Sequence, residues 1–175
     1  IAYIGGSITQ GAGGKPINTM CYAYRSYDAF CKLFSPCDGK NVHYVKAGVG
    51  GTPSELGMVR YDLDVTKYGE ITPDLVVVEF AVNDEGDETQ GVSFESLVMK
   101  ILQAENAPAV LLNFAVFMND WNLQKRLQPI GERYELPMVS VKDAVVPQFE
   151  KSHVITKRLF FYDNYHPTND GHRIM

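Results

Sequence analysis

The sequence predicts an α/β domain, a three-layer α/β/α sandwich on a parallel sheet of about five strands. Two observations carry the prediction. Apolar runs rich in β-branched residues recur at Ala2–Ile4, Val42–Val45, Leu75–Phe80, Val110–Phe114 and Met138–Val141, and segments with helical signals lie between them. In addition, Leu75-Val76-Val77-Val78 is continuously apolar rather than alternating, which suits a strand covered on both faces.

Each element has its own warrant. After the first strand, Gly5-Gly6-Ser7 turns sharply and places Ser7 at a helix mouth. Tyr27, Phe30, Cys31 and Phe34 fall at i, i+3, i+4 and i+7, the stripe of an amphipathic helix, so Cys31 is expected in the core. Thr52-Pro53-Ser54-Glu55 predicts a capping-box start with proline at the first helical position. Phe94, Leu97, Val98, Ile101 and Leu102 follow the 3.6-residue period, and Thr168-Asn169-Asp170-Gly171 caps a final helix. No repeat, low-complexity tract or linker divides residues 1–175, which read as a single domain apparently cut at both ends.

Composition excludes several classes. The chain has 175 residues, is 45% hydrophobic and carries a net charge of −5 with no basic run, so nucleic acid is not an expected partner. Its longest apolar runs fall far short of the roughly 18 residues needed to span a bilayer, so a soluble protein without a membrane partner is expected. Whether it is cytoplasmic or secreted stays open. Three cysteines, Cys21, Cys31 and Cys37, are odd in number and lack C-x-x-C spacing, against a disulfide framework or a zinc site. Neither a metal nor a cofactor is expected. Gly11-Ala12-Gly13-Gly14 lacks the spacing of a nucleotide-binding loop.

In an open parallel sheet, chemistry gathers beyond the carboxyl ends of the strands, near the reversal of strand order. Ser7, Gly50-Gly51, Asn83-Asp84 and Asp120-Trp121 all follow predicted strands, and Asp163-Asn164-Tyr165-His166-Pro167 follows the last. Serine becomes a nucleophile when a base takes its proton. His166 is such a base, held on extended backbone by Pro167, with Asp163 in reach to orient the ring. Taken singly, Ser7 reads equally as a helix cap, and His166 as a solvated turn residue. An oxyanion needs fixed donors, each worth roughly 3–4 kcal/mol of barrier. Three are available: the N–H groups of Ser7 and Gly51 and the amide of Asn83. The bland alternatives are a tight turn at Gly50-Gly51 and a cap at Asn83-Asp84. His43, His153 and His172 lack an evident partner and read as structural or solvated.

With these segments in view, the chain resembles the SGNH/GDSL hydrolases. The resemblance rests on Gly5-Gly6-Ser7-Ile8-Thr9, Ala47-Gly48-Val49-Gly50-Gly51-Thr52, Ala81-Val82-Asn83-Asp84 and Asp163-Asn164-Tyr165-His166-Pro167, in the family's order. It implies a flavodoxin-like SGNH fold, Ser7 as nucleophile, His166 as base, Asp163 as orienter, and Ser7, Gly51 and Asn83 as the oxyanion hole. Two positions depart from the family pattern. Gly6 stands where aspartate is usual, and Ala81 where glycine is common.

The same family covers lipases, lysophospholipases, thioesterases, arylesterases and carbohydrate deacetylases. The pattern looks like its bacterial carbohydrate esterases, in which an accessory domain is often joined to the catalytic one. Phe117-Met118-Asn119-Asp120-Trp121-Asn122 offers a ring and amides to a sugar, with Trp121 either stacking on it or packing a helix. Asp84-Glu85-Gly86-Asp87-Glu88 disfavours anionic substrates. The expected reaction is removal of O-acetyl groups from a carbohydrate, with Gly50, Asp84, Asp120 and Trp121 as substrate-binding candidates. The rivals are a short-chain aryl or lipid esterase and, from another class, a non-catalytic glycan-binding module.

Overall fold

The computed structural model describes residues 1–35, 39–151 and 154–175; Cys37 and His153 lie outside them. Its five parallel strands are β1 (Ala2–Gly5), β2 (Val45–Gly48), β3 (Leu75–Glu79), β4 (Ala109–Phe114) and β5 (Met138–Ser140), in spatial order β2-β1-β3-β4-β5. Chain order therefore reverses between β1 and β3. That crevice is where an α/β sheet of this winding places its site.

Among the described residues there are eight helices, α1 (Ser7–Gln10), α2 (Tyr22–Phe34), α3 (Ser54–Asp64), α4 (Val92–Leu102) and α5 (Gln124–Arg133) between the strands, and α6 (Val141–Lys151), α7 (Lys157–Phe160) and α8 (Asn169–Ile174) after the last. Because successive strand side chains point to opposite faces, Ala2, Ile4, Val76, Val78, Val110 and Leu112 build one core with α3, α4 and α5. Tyr3 and Val77 point the other way and pack against Ile8, Tyr22 and Ala23 of α1 and α2. A smaller cluster joins α6 and α7 through Val141, Val145 and Phe160. The three layers match the predicted class, and the period of α4 holds: Phe94, Leu97, Val98 and Ile101 are all buried.

Three local expectations fail. β2 starts at Val45, where the apolar run ends, because its register is set by pairing with β1, from Ala2↔Val45 to Gly5↔Gly48. Lys46-Ala47-Gly48 does not look like a strand, yet β2 is an edge. There Lys46 keeps its ammonium out, donating to the Gln10 carbonyl and to Asn18 Oδ1. In α2 the stripe turns inward only in part: Cys31 is buried as expected, but Phe30 and Phe34 are 38% and 70% exposed. They pack on each other instead.

The predicted capping box of α3 is also absent. Pro53 occupies the cap position rather than the first helical one, and Thr52 donates back to the Val49 carbonyl. The cap arrives from another strand end. Asp84 accepts from Ser54 N–H at 2.7 Å and from Ser54 Oγ at 2.6 Å.

Candidate active site

Ser7, His166 and Asp163 converge from opposite ends of the chain. Ser7 opens α1 directly after β1, and its Oγ lies 3.0 Å from His166 Nε2. On the other side of the ring, His166 Nδ1 lies 2.9 Å and 3.1 Å from the two Asp163 oxygens. The carboxylate accepts a hydrogen bond from Nδ1–H, which leaves the Nε2 lone pair facing the serine hydroxyl.

The loop holding the imidazole is built almost entirely from local bonds. Asp163 Oδ1 accepts the N–H groups of Tyr165 and His166, both at 2.8 Å, so a short side chain folds its own backbone into a turn. Tyr162 N–H donates to the His166 carbonyl at 2.8 Å and closes it. Burial raises the Asp163 pKa, but bonds from the His166 ring and from the two N–H groups outweigh it and hold the carboxyl below its ordinary range.

Behind this loop lies Gly11-Ala12-Gly13-Gly14. Gly13 has φ +86°, and a side-chain carbon there would come within 2.1 Å of the Pro167 carbonyl oxygen and 3.2 Å of His166 Cβ. Only glycine lets the two segments close on each other. His172 completes the backing: it is buried, donates from Nε2 to the Ala12 carbonyl and accepts Tyr22 N–H at Nδ1. It is structural, as expected, although its partners were not evident in the sequence. Burial lowers its pKa to about 4, so the ring is neutral at physiological pH. Asp170 pairs with Arg173, and Thr168 caps α8 through its hydroxyl.

Facing the serine are the groups expected to meet an oxyanion. Gly51 is in the left-handed region at φ +71° in the turn after β2. Asn83 follows β3 and lies across Gly6, where a side-chain carbon would come within 2.2 Å of Asn83 Oδ1. The unusual glycine of the first motif thus makes room for the asparagine. Asn83 Oδ1 is buried and has no hydrogen-bond partner among the described residues.

The candidate substrate residues divide. Gly50 is exposed beside Ser7; a side-chain carbon there would lie 3.7 Å from Ser7 Cβ. Asp84 is not available to a substrate: it is fully buried and both oxygens are engaged by Ser54. Asp120 is ion-paired with Lys157 at 2.9 Å, which also donates to the Met118 carbonyl. Trp121 is half-buried, stacked on Phe117 at 5.7 Å and 26°.

Two features escaped the sequence reading. Glu79, at the end of β3, is fully buried and accepts from Thr9 Oγ1 at 3.0 Å; that hydroxyl is 2.8 Å from the Tyr22 hydroxyl. The chain of bonds ties α1, and with it Ser7, to β3 and α2. Burial pushes the Glu79 pKa up to about 7, against the bonds from Thr9, and the nearby Asp84 charge adds to the rise. A charged residue inside a doubly covered strand was the available signal. The second feature is Tyr165, 53% exposed, whose ring packs edge-on against Phe117 next to His166.

Among the described residues there is no cluster of three or more metal-ligating side chains and no helix long and apolar enough to cross a membrane.

A model of the GDSL-like lipase/acylhydrolase family matches residues 3–174. The chain belongs to this family. Its hydrolases act on ester bonds, consistent with the aligned serine and imidazole. No curated protein sequence matches the chain significantly. Among solved structures, it is similar to a two-domain esterase (CEX) active on acetylated mannans, with 36% identity and a TM-score of 0.89 over 99% of this chain. This GDSL-family chain spans 45% of the length of that esterase. A catalytic mutant of Axe2, an acetylxylan esterase from Geobacillus stearothermophilus, matches 99% of this chain and 88% of its own at 16% identity and a TM-score of 0.72. A GDSL-like lipase (BT0569) from Bacteroides thetaiotaomicron covers the same share of this chain and 82% of its own at 18% identity and a TM-score of 0.64. These last two share the fold, which is the SGNH hydrolase fold.

Proposed function

We propose that this chain removes O-acetyl or other short acyl groups from a carbohydrate through an acyl-serine intermediate. One observation carries the chemistry: the unbroken line from Ser7 Oγ to His166 Nε2 at 3.0 Å and from His166 Nδ1 to Asp163 at 2.9 Å. His166 takes the hydroxyl proton as Ser7 Oγ attacks the acyl carbon, and Asp163 stabilises the imidazolium that forms. The oxyanion is met by the N–H groups of Ser7 and Gly51 and the amide of Asn83. When the C–O bond to the sugar breaks, His166 returns its proton to the departing oxygen. Water, deprotonated by the same imidazole, then releases the acid and restores the serine.

Two observations support the carbohydrate. The 36%-identical esterase is active on acetylated mannans, and the exposed Glu85 and Glu88 beside the oxyanion loop favour an uncharged substrate. The test is acetate release from acetylated mannan and acetylated xylan, with 4-nitrophenyl acetate and the Ser7→Ala protein alongside. Release from a glycan that vanishes in Ser7→Ala is the expected result. Aryl-ester cleavage alone favours a general esterase, and serine-independent or absent activity on all three overturns the proposal.

A further inference from the structure

The residues expected to bind substrate are largely committed to packing, yet a concave site does lie beside the proposed base. It has a volume of about 390 Å³ and is lined by Phe117, Met118, Asn119, Asn164 and Tyr165. Such a volume is within the range of small-ligand sites, roughly 300–1,000 Å³. Its two walls come from different parts of the chain, the segment after β4 and the His166 loop. They are tied together by Met118 N–H donating to the Asn164 carbonyl at 3.0 Å.

Three rings fix the aromatic side of the site. Trp121 stacks on Phe117 at 5.7 Å, and Phe117 meets the edge of Tyr165 at 5.0 Å and 76°. The Tyr165 ring is thus propped from behind while more than half of the residue stays exposed. Two amides with capacity to spare line the same site. Asn119 uses Oδ1 to accept Trp121 N–H and leaves its Nδ2 unpartnered, and the exposed Asn164 has no side-chain partner among the described residues. No charged side chain lines the site.

An exposed aromatic face beside uncommitted amides, without charge, is the chemistry that receives a neutral pyranose: C–H groups over the ring, hydroxyls on the amides. The location adds direction. The Tyr165 ring centre lies 6.2 Å from that of His166, whose proton goes to the leaving oxygen. Resting on the reading above, we infer that this pocket seats the sugar unit that departs from the ester, with Tyr165 as its platform and Asn119 and Asn164 as its hydroxyl contacts. Trp121 acts as the prop rather than the platform.

The test compares kcat/KM on acetylated manno- and xylo-oligosaccharides with that on 4-nitrophenyl acetate, for the wild type, Tyr165→Ala, Tyr165→Phe and Asn164→Ala. Tyr165→Ala lowers the glycan-to-aryl ratio roughly five- to tenfold, through KM, the worth of about one aromatic contact. Tyr165→Phe restores the ratio, since a platform needs the ring and not the hydroxyl. Equal losses on both substrates in Tyr165→Ala, or an unchanged ratio, overturn the inference while the carbohydrate reading stands. A wild type that cleaves the aryl ester but no glycan overturns both.

Discussion

The proposed proton-transfer side and the proposed oxyanion side of this site are finished to different degrees. Asp163 takes two backbone N–H groups and the His166 ring, and His166 in turn contacts Ser7, so its polar atoms are engaged within the protein. Across the serine, the side-chain N–H groups of Asn83 and the backbone N–H groups of Ser7 and Gly51 have no protein acceptor among the described residues. The contrast follows from what each half must do. A base has to be oriented before substrate arrives, whereas donors meant for a transient charge must be left unspent, at some cost to the folded state.

The comparison makes its largest claim on the engaged half. Replacing Asp163 by Ala removes the acceptor that sets the His166 tautomer, and kcat on 4-nitrophenyl acetate is expected to fall about 10³- to 10⁴-fold. Because the same carboxylate folds its own turn, thermal stability falls as well. A drop in activity without any loss of Tm would separate the two roles assigned to it.

On the unspent half, Asn83→Ala is expected to lower kcat about 10²- to 10³-fold with KM little changed. Unlike Asp163→Ala, it leaves Tm undiminished, since the atom lost from burial had no bond to lose. Steady-state kinetics and a thermal melt check both parts. A clear loss of stability would break the contrast between the halves.

Gly6→Ala sharpens the same point. The added carbon lands 2.2 Å from Asn83 Oδ1, so the amide must swing away, and kcat falls by most of the Asn83→Ala amount. Coupling is the decisive reading: the double variant Gly6→Ala/Asn83→Ala is expected to be little worse than Asn83→Ala alone. Multiplicative losses would mean that the two positions act independently.

The smallest effect concerns the buried groups behind each half. Glu79, beneath α1, has its pKa raised from 4.5 to about 7, so the folded state holds a proton that the unfolded chain releases, and stability declines as pH rises across that window. His172, behind the His166 loop, has its pKa lowered from 6.5 to about 4, so its stabilising contribution is present above 6.5 and is lost as pH falls toward 4. The two slopes oppose each other. Glu79→Gln removes one, and its Tm is expected to gain on that of the wild type as pH rises from 4.5 through 7. A difference that does not change with pH contradicts the raised pKa.

How much of this was legible beforehand depended on whether the signal was local. β3 and β4 were plain because strands covered on both faces are continuous apolar runs. β2 was misplaced because an edge strand can carry Lys46 and Gly48 and owes its register to β1. Ser7, Gly51, Asn83 and His166 stood at strand ends beside glycine and proline, where the chain turns. Asp84 and Asp120 stood in equally suggestive loops, but an acidic residue that caps a distant helix or pairs with a lysine looks the same in sequence as one that awaits substrate. Only burial tells them apart. Gly13 was weighed against a nucleotide loop and set aside; its actual neighbour, Pro167, lies more than 150 residues away. Glu79 sits inside an apolar run and Tyr165 between Asp163 and His166, and neither has a local pattern that reveals its partners.

In the proposed mechanism, His166 makes Ser7 nucleophilic. The most direct measurement is the rate and position of labelling by a serine-directed fluorophosphonate, followed by intact-protein and peptide mass spectrometry in the wild type, Ser7→Ala and His166→Ala. A single adduct on the peptide carrying Ser7, absent in Ser7→Ala and much slower in His166→Ala, is the predicted result. An adduct on another serine, or labelling of Ser7 at an undiminished rate without His166, would contradict it.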